Sequence, residues 1–290
     1  MAIAEVRASG LDCLALATEL LQRARLADAD AGLWEAADLQ WWWRTPRSSD
    51  AIDQLFWIDE EGPVAGVVLT DWGRSWGCDA IVVPGVSSLS LHAVWARAVE
   101  AIEALTLEAV EVLVRDDDAE QLALLADLGF VAEDDVSGIT WMNAEDRRDV
   151  TAVPDGFVLV DRAREETGPH PMRGRNGEEV EARLRQCSLY DPSLDLAVEA
   201  EGEVAGYSLF WFDPVTEVGL VEPMRVEDAY QRRGLARAML TAGLDRLAKR
   251  GARRLKVGYG TDVARGLYVG AGFRVTATDT SYSWKRRAAG

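Results

Sequence analysis

The sequence predicts an α/β (α+β) chain built as two copies of one domain, and three observations carry that expectation. Short texts recur at one spacing: "EGPVAG" at 61–66 and "EGEVAG" at 201–206, "ARA" at 96–98 and again at 236–238, both offset by 140. "LGF" at 128–130 and "AGF" at 271–273 repeat at an offset of 143, and in each case a Trp follows the Phe by eleven residues, at Trp141 and Trp284. Finally, strand-like and helix-like runs succeed one another in the same order in both halves. A period of that length is the size of a domain, far longer than a solenoid repeat.

The second copy shows the elements most clearly. Residues 194–200 and 203–212 are apolar-rich runs meeting at a charged Glu-Gly turn, so they read as a hairpin, with 217–227 as a third strand. A helix from about 234 to 249 carries Leu235, Met239, Leu240, Leu244 and Leu247 on one face and closes at Gly251. A strand at 253–258, a helix at 262–270 and a strand from Phe273 to Trp284 complete the copy, and another helix is expected at 177–188. The polar segment "NAEDRRDVTAVPDG", 143–156, with Pro154 as its stop signal, is the expected linker, which gives domains at 1–149 and 150–290.

Composition narrows the classes. No apolar run approaches the roughly 18 residues that span a membrane, and "MAIAEVRASG" lacks the regions of a secretory signal, so a cytoplasmic location without membrane contact is expected. Cys13, Cys78 and Cys187 are odd in number and far from any His pair, so neither a disulfide framework nor a metal site is expected, and buried free thiols are the default. The formal charge of -18 is unevenly divided: residues 1–150 carry 29 acids against 10 arginines, whereas 151–290 carry 20 acids against 21 bases. Such a field repels nucleic acid and anionic lipid; it favours a cationic substrate, or serves solubility alone.

The stretch "AYQRRGLARAML", 229–240, sets Arg232, Arg233 and Arg237 around Gly234 and Ala236 in this acidic chain. The strand at 217–227 runs through Ala229 and Tyr230 into a helix beginning near Gly234. Unsatisfied helical N–H groups and the positive end of the helix dipole therefore face a turn with bare backbone, an arrangement suited to a pyrophosphate.

At these residues the chain resembles the GCN5-related N-acetyltransferases (GNAT). "VEDAYQRRGLA", 226–236, is similar to that family's acyl-CoA signature, and "ARGLYVGAGF", 264–273, to its second motif, in the family's order and spacing over about 155–290. The resemblance implies two tandem domains, each a mixed, mostly antiparallel sheet flanked by helices, with acetyl-CoA as co-substrate. It implies that the main chain of Arg225 and Val226 pairs with the pantetheine arm, and that Gln231, Arg232, Arg233, Gly234, Leu235, Ala236 and Arg237 hold the pyrophosphate. Tyr268 matches the tyrosine near the thioester sulfur, placed to protonate the departing thiolate; packing against the core is its other reading. Asp228 stands where the family usually has Pro, and Thr261, at a position of cofactor contact, where it often has Asn.

The implied activity is transfer of an acetyl group to a primary amine of a small, cationic molecule by direct attack in a ternary complex, in a monomer or homodimer. Period-two counting puts Glu222 on one strand face with Met224 and Val226, which aims it into the cleft as a general base; a hydrogen-bonded structural carboxylate is the alternative. His170 reads as a solvated loop histidine or as an acceptor ligand, and His92 as structural. The competing class is a non-catalytic acyl-CoA sensor or scaffold, or an acyltransferase with another acyl donor or a protein amine as acceptor. A pure scaffold has no use for Tyr268 and Glu222 together.

The first copy lacks each of these groups. Gly234 corresponds to Val94, Gln231 to Leu91, Glu222 to Val82 and Tyr268 to Leu125, so a degenerate domain that binds no CoA is expected at 1–149. It holds nine of the eleven tryptophans, including "QWWWRTP" at 40–46. Trp41, Trp42 and Trp43 cannot share one face of a regular element, so they either fill a core and a junction or offer rings to a cationic amine.

Overall fold

The computed structural model describes residues 3–163 and 168–286. The chain forms two compact units: Met1–Leu39, Pro46–Ser137 and Ala277–Gly290 make the first, Gln40–Thr45 and Gly138–Thr276 the second. In chain order the elements of the first half are β1 (Ala4–Ala8), α1 (Gly10–Ala27), α2 (Ala36–Trp42), β2 (Gln54–Asp59), β3 (Gly62–Asp71), β4 (Trp76–Val82), α3 (Leu91–Ala104), β5 (Ala109–Arg115), α4 (Ala119–Asp127) and β6 (Val131–Asn143). Those of the second half are β7 (Val158–Asp161), α5 (Arg173–Asn176), α6 (Val180–Leu184), β8 (Asp195–Ala200), β9 (Glu203–Asp213), β10 (Val218–Val226), α7 (Leu235–Lys249), β11 (Arg254–Tyr259), α8 (Asp262–Ala271) and β12 (Arg274–Lys285). From β2 to β6 and from β8 to β12 the order is the same, as the repeat requires. The helix expected at 177–188 is shorter, confined to α6, because Gly177 and the turn after Arg185 leave it one usable apolar pair, Val180 and Leu184.

The last strand of each half pairs in the other unit. In the first unit β1 to β5 lie in sequence order, and Asp279–Lys285 of β12 add antiparallel to β5, from Asp279↔Arg115 to Lys285↔Ala109. In the second unit the order runs from β7 through β8, β9, β10 and β11 to β6, with Gly138 opposite Tyr259 and Asn143 opposite Arg254. The contact boundaries therefore fall at 137/138 and 276/277, where the sequence reading cuts once, at 149/150. A repeat fixes which segments form strands; it does not say which copy's β5-type edge the last strand will cover.

Each unit has its own core. Trp95, fully buried, meets Phe130 edge-on at 5.8 Å in the first. In the second, Leu235, Met239, Leu240, Leu244 and Leu247 of α7 are all buried, as their one-sided spacing predicts. Gly243 is the closest approach of that helix to the sheet: a Cβ there lies 2.1 Å from Cζ of the fully buried Phe210. Gly243→Ala must shift either the ring or the helix. We expect a loss of about 3 kcal/mol, the upper part of the overpacking range, read as a fall in the urea midpoint.

Among the described residues no helix is long and apolar enough to cross a membrane. Cys78 and Cys187 are buried free thiols, whereas Cys13 is half-buried, and burial pushes Cys13 and Cys187 up to about 12.

Candidate active site

The site is built where two strands part. β10 and β11 pair in parallel only from Val218↔Arg254 to Leu220↔Lys256. Beyond that, β10 stays with β9 as far as Val226↔Gly206, while β11 stays with β6 as far as Tyr259. The divergence frees the β11-facing main chain of Met224 to Val226 for an extended ligand.

β10 is also bulged. Val221 faces Phe210 and Met224 faces Ser208, so Glu222 and Pro223 share the space opposite Leu209. Strict alternation therefore fails here: Val221, Met224 and Val226 all pack toward the clusters under α7, and Glu222 does not share their face. This corrects the period-two argument for Glu222. Two fully buried β9 side chains hold the bulge: Trp211 Nε1 donates to the Glu222 carbonyl at 2.8 Å, and Ser208 Oγ donates to that of Pro223 at 2.9 Å. Sequence reasoning missed both residues, and the only available signal was that Trp211 is one of two tryptophans beyond residue 150.

The opening of α7 follows. Gly234 is its N-cap, in the left-handed region at φ +84°, and offers no side-chain cap. Gln231 to Gly234 are exposed, as is Arg237. The first-turn N–H groups of Leu235, Ala236 and Arg237 therefore open outward at the positive end of the dipole. Arg232 also has positive φ, +64°, Arg233 donates to the Ala229 carbonyl at 3.3 Å, and Arg237 reaches α8, its Nη2 lying 3.5 Å from where a Cβ on Gly270 would stand. Among the described residues none of these three arginines is paired with a carboxylate. Gln231 Nε2 bridges the Val226 carbonyl at 3.3 Å and Asp228 Oδ1 at 3.0 Å. Arg225 turns its guanidinium to Glu227 and Asp228, leaving its main chain as the usable part.

Tyr268 sits on α8, 7% exposed, with Phe273 edge-on at 6.2 Å. Burial raises its phenol well above the usual range, and the Glu222 carboxylate adds to the rise, so the two groups lie within electrostatic reach. Thr261 caps α8, its Oγ1 accepting from the Ala264 N–H at 3.2 Å, which gives it a structural task.

His170 is buried, 4% exposed, contrary to the solvated reading. Its Nδ1 accepts from the Met172 N–H at 3.2 Å, so Nε2 carries the proton toward Asp195 Oδ2 at 2.8 Å, and Tyr190 donates to the same oxygen at 2.9 Å. These partners anchor the loop to β8. His92 is exposed on α3, and no group of three potential metal ligands occurs among the described residues.

Gln40–Thr45, from the first half of the sequence, packs as part of the second unit. Gln40 holds the Leu189 N–H at 2.8 Å, Trp43 Nε1 donates to Gln186 at 2.8 Å, and Arg44 Nε donates to Asn176 at 2.7 Å. Arg44 covers the Trp41 ring at 3.7 Å and Arg183 the Trp43 ring at 3.5 Å, so two of the three rings already stack on the protein's own cations.

A sheet that opens between parallel strands, an uncapped helix start following one of them and a buried tyrosine on the next helix are the features that the sequence resemblance leads one to expect. Residues 160–273 match the Acetyltransferase (GNAT) family. A mycothiol acetyltransferase of Clavibacter sepedonicus is 34% identical over 116 residues, a match that covers 39% of this chain and only 38% of that relative. Among solved structures, a tandem GNAT protein from the clavulanic acid biosynthesis pathway aligns over 100% of both chains with a TM-score of 0.72 at 16% identity. A GCN5-related N-acetyltransferase from Sphaerobacter thermophilus aligns over 98% of this chain and 95% of its own with a TM-score of 0.66, also at 16% identity. At such identities the structural likeness concerns the fold. Residues 160–273 thus match the GNAT family, and the whole chain shares the fold of a tandem GNAT protein.

Proposed function

We propose that the chain is an N-acetyltransferase that moves the acetyl group of acetyl-CoA onto a primary amine of a small, cationic molecule, with chemistry confined to the second unit. The observation that carries this reading is the uncapped, left-handed Gly234 at the start of α7, flanked by three arginines that pair with no carboxylate among the described residues, beside the diverging strands. Exposed N–H groups and the helix dipole suit a pyrophosphate, and the free edge of β10 suits an amide-bearing arm.

In this reading the amine nitrogen attacks the thioester carbonyl while both substrates are bound. The C–N bond forms and the C–S bond breaks. The amine proton passes to Glu222, and the Tyr268 phenol gives its proton to the departing thiolate. Most of the acceleration comes from holding the amine against the carbonyl. The acidic charge of the chain favours approach of a cationic acceptor. The first unit is read as degenerate, because Ser90 caps α3 with its own hydroxyl, accepting from the Ala93 N–H at 3.2 Å, whereas Gly234 leaves the equivalent donors free.

Two measurements test the reading. Calorimetric titration with acetyl-CoA is expected to give one site per chain, and two would overturn the degenerate first unit. Glu222→Gln is expected to lower the rate with a screened amine acceptor by about 100-fold near neutral pH, the lower end for a general base, with acetyl-CoA affinity unchanged. A wild-type rate across the pH range removes Glu222 from the mechanism.

A further inference from the structure

The first unit keeps a cleft where its own strands part, and the chemistry of that cleft is the reverse of the second unit's. β4 and β5 pair in parallel only at Trp76↔Val110 and Gly77↔Glu111. Between their diverging ends lies a cavity of about 440 Å³, walled in part by Leu33, Trp34, Ile81, Val82 and Val114.

The groups that could hold an anion there are already used. Arg25 grips Glu35 through two hydrogen bonds, at 3.1 and 2.6 Å, and donates to the Ala29 carbonyl at 2.7 Å. Arg115 grips Asp117 through two more, at 2.8 and 2.7 Å, and donates to the Asp30 carbonyl. The start of α3 is capped by Ser90.

The negative groups are less fully matched. Asp79, a polar side chain set among apolar wall residues, accepts the Trp34 Nε1 proton at 2.7 Å; Glu120 also lines the cleft, as does Asp118, whose carboxylate caps α4 by accepting the Gln121 N–H at 3.1 Å. Burial, with the charge of Asp38 added, pushes the Asp79 carboxyl up to about 6, even with the Trp34 hydrogen bond opposing the rise. An ionised carboxylate in such a wall is costly unless a cation joins it. Two of the walls, Leu33 and Ile81, offer an apolar body somewhere to lie.

We propose that this cleft binds a small organic cation, a primary ammonium on an apolar body, with the ammonium against Asp79 and the body against Leu33, Ile81 and Val114. The site is separate from the acetyl-transfer site and does not rest on that reading.

The test uses the full chain at pH 7.5, titrated calorimetrically with 2-phenylethylammonium and, in parallel, with the neutral 2-phenylethanol. One saturable site is expected for the ammonium, at least tenfold weaker in Asp79→Asn, unchanged in Glu222→Gln, and at least tenfold weaker for the alcohol. Asn keeps an acceptor for the Trp34 indole, so the variant retains its local hydrogen bond. A second readout needs no variant at the carboxylate: the Trp34 indole N–H resonance, assigned with Trp34→Phe, is expected to shift and saturate with the ammonium and not with the alcohol. Absence of binding, equal affinity for the alcohol, equal affinity in Asp79→Asn, or loss only in Glu222→Gln each overturns the proposal.

Discussion

Gly234→Val is expected to abolish acetyl-CoA binding while leaving the fold in place. The residue sits at φ +84°, and a Cβ there meets nothing closer than Pro154 Cγ at 3.8 Å. The cost is therefore in the backbone and not in packing: a β-branched residue in the left-handed region is strained by about 1–3 kcal/mol. The loop from Gln231 to Gly234 is exposed, so it relieves that strain by turning. Turning removes Gly234 from its capping conformation and misdirects the N–H groups of Leu235 and Ala236, which Arg232 and Arg233 flank. Loss of two or three such contacts to a charged oxygen, at about 1.5–3 kcal/mol each, weakens binding by more than 100-fold. Calorimetry with acetyl-CoA reads this directly, and Gly234→Ala, with a smaller side chain at the same φ, is expected to fall between. A Gly234→Val protein that binds as well as wild type would remove the α7 start from the site.

The strand and helix that frame the candidate site were legible because their signals are local. The strand limits 217–227 and the helix limits 234–249 fall within a residue or so of β10 and α7, since apolar periodicity and a glycine stop are read over a few neighbours. What the sequence left hidden depends on distant partners. The bulge at Glu222 and Pro223 is defined by β9, through Ser208 and Trp211, so counting along β10 alone puts Glu222 on the wrong face. His170 looks like a loop histidine among Gly and Pro, yet Asp195 and Tyr190 bury it. Gln40–Thr45 belongs by sequence to the first copy and by packing to the second unit, and the pairings of β6 and β12 obey the same non-local logic. Any reading that assigns a segment to the copy in which it is encoded misses all three of these exchanges.

Tyr268→Phe is expected to slow acetyl transfer by about 100-fold, with acetyl-CoA affinity within a factor of two. The substitution removes one oxygen from a side chain only 7% exposed and keeps the edge-on contact with Phe273, so packing changes little. What is lost is a proton donor. Burial first, and the Glu222 carboxylate second, hold the phenol above its usual range, so it is protonated throughout the neutral region and has a proton to give. The leaving thiolate sets the size of the effect: a thiol of ordinary pKa, about 8.5, departs without help far more readily than an alkoxide does. The gain from a general acid therefore falls near the lower end of its 10²–10⁴ range. A purely structural tyrosine predicts a different pattern, in which affinity and thermal stability fall together and the rate of the bound complex is preserved. Measuring kcat separately from acetyl-CoA affinity distinguishes the two. An unchanged kcat would leave Tyr268 as a packing residue and assign protonation of the thiolate to solvent.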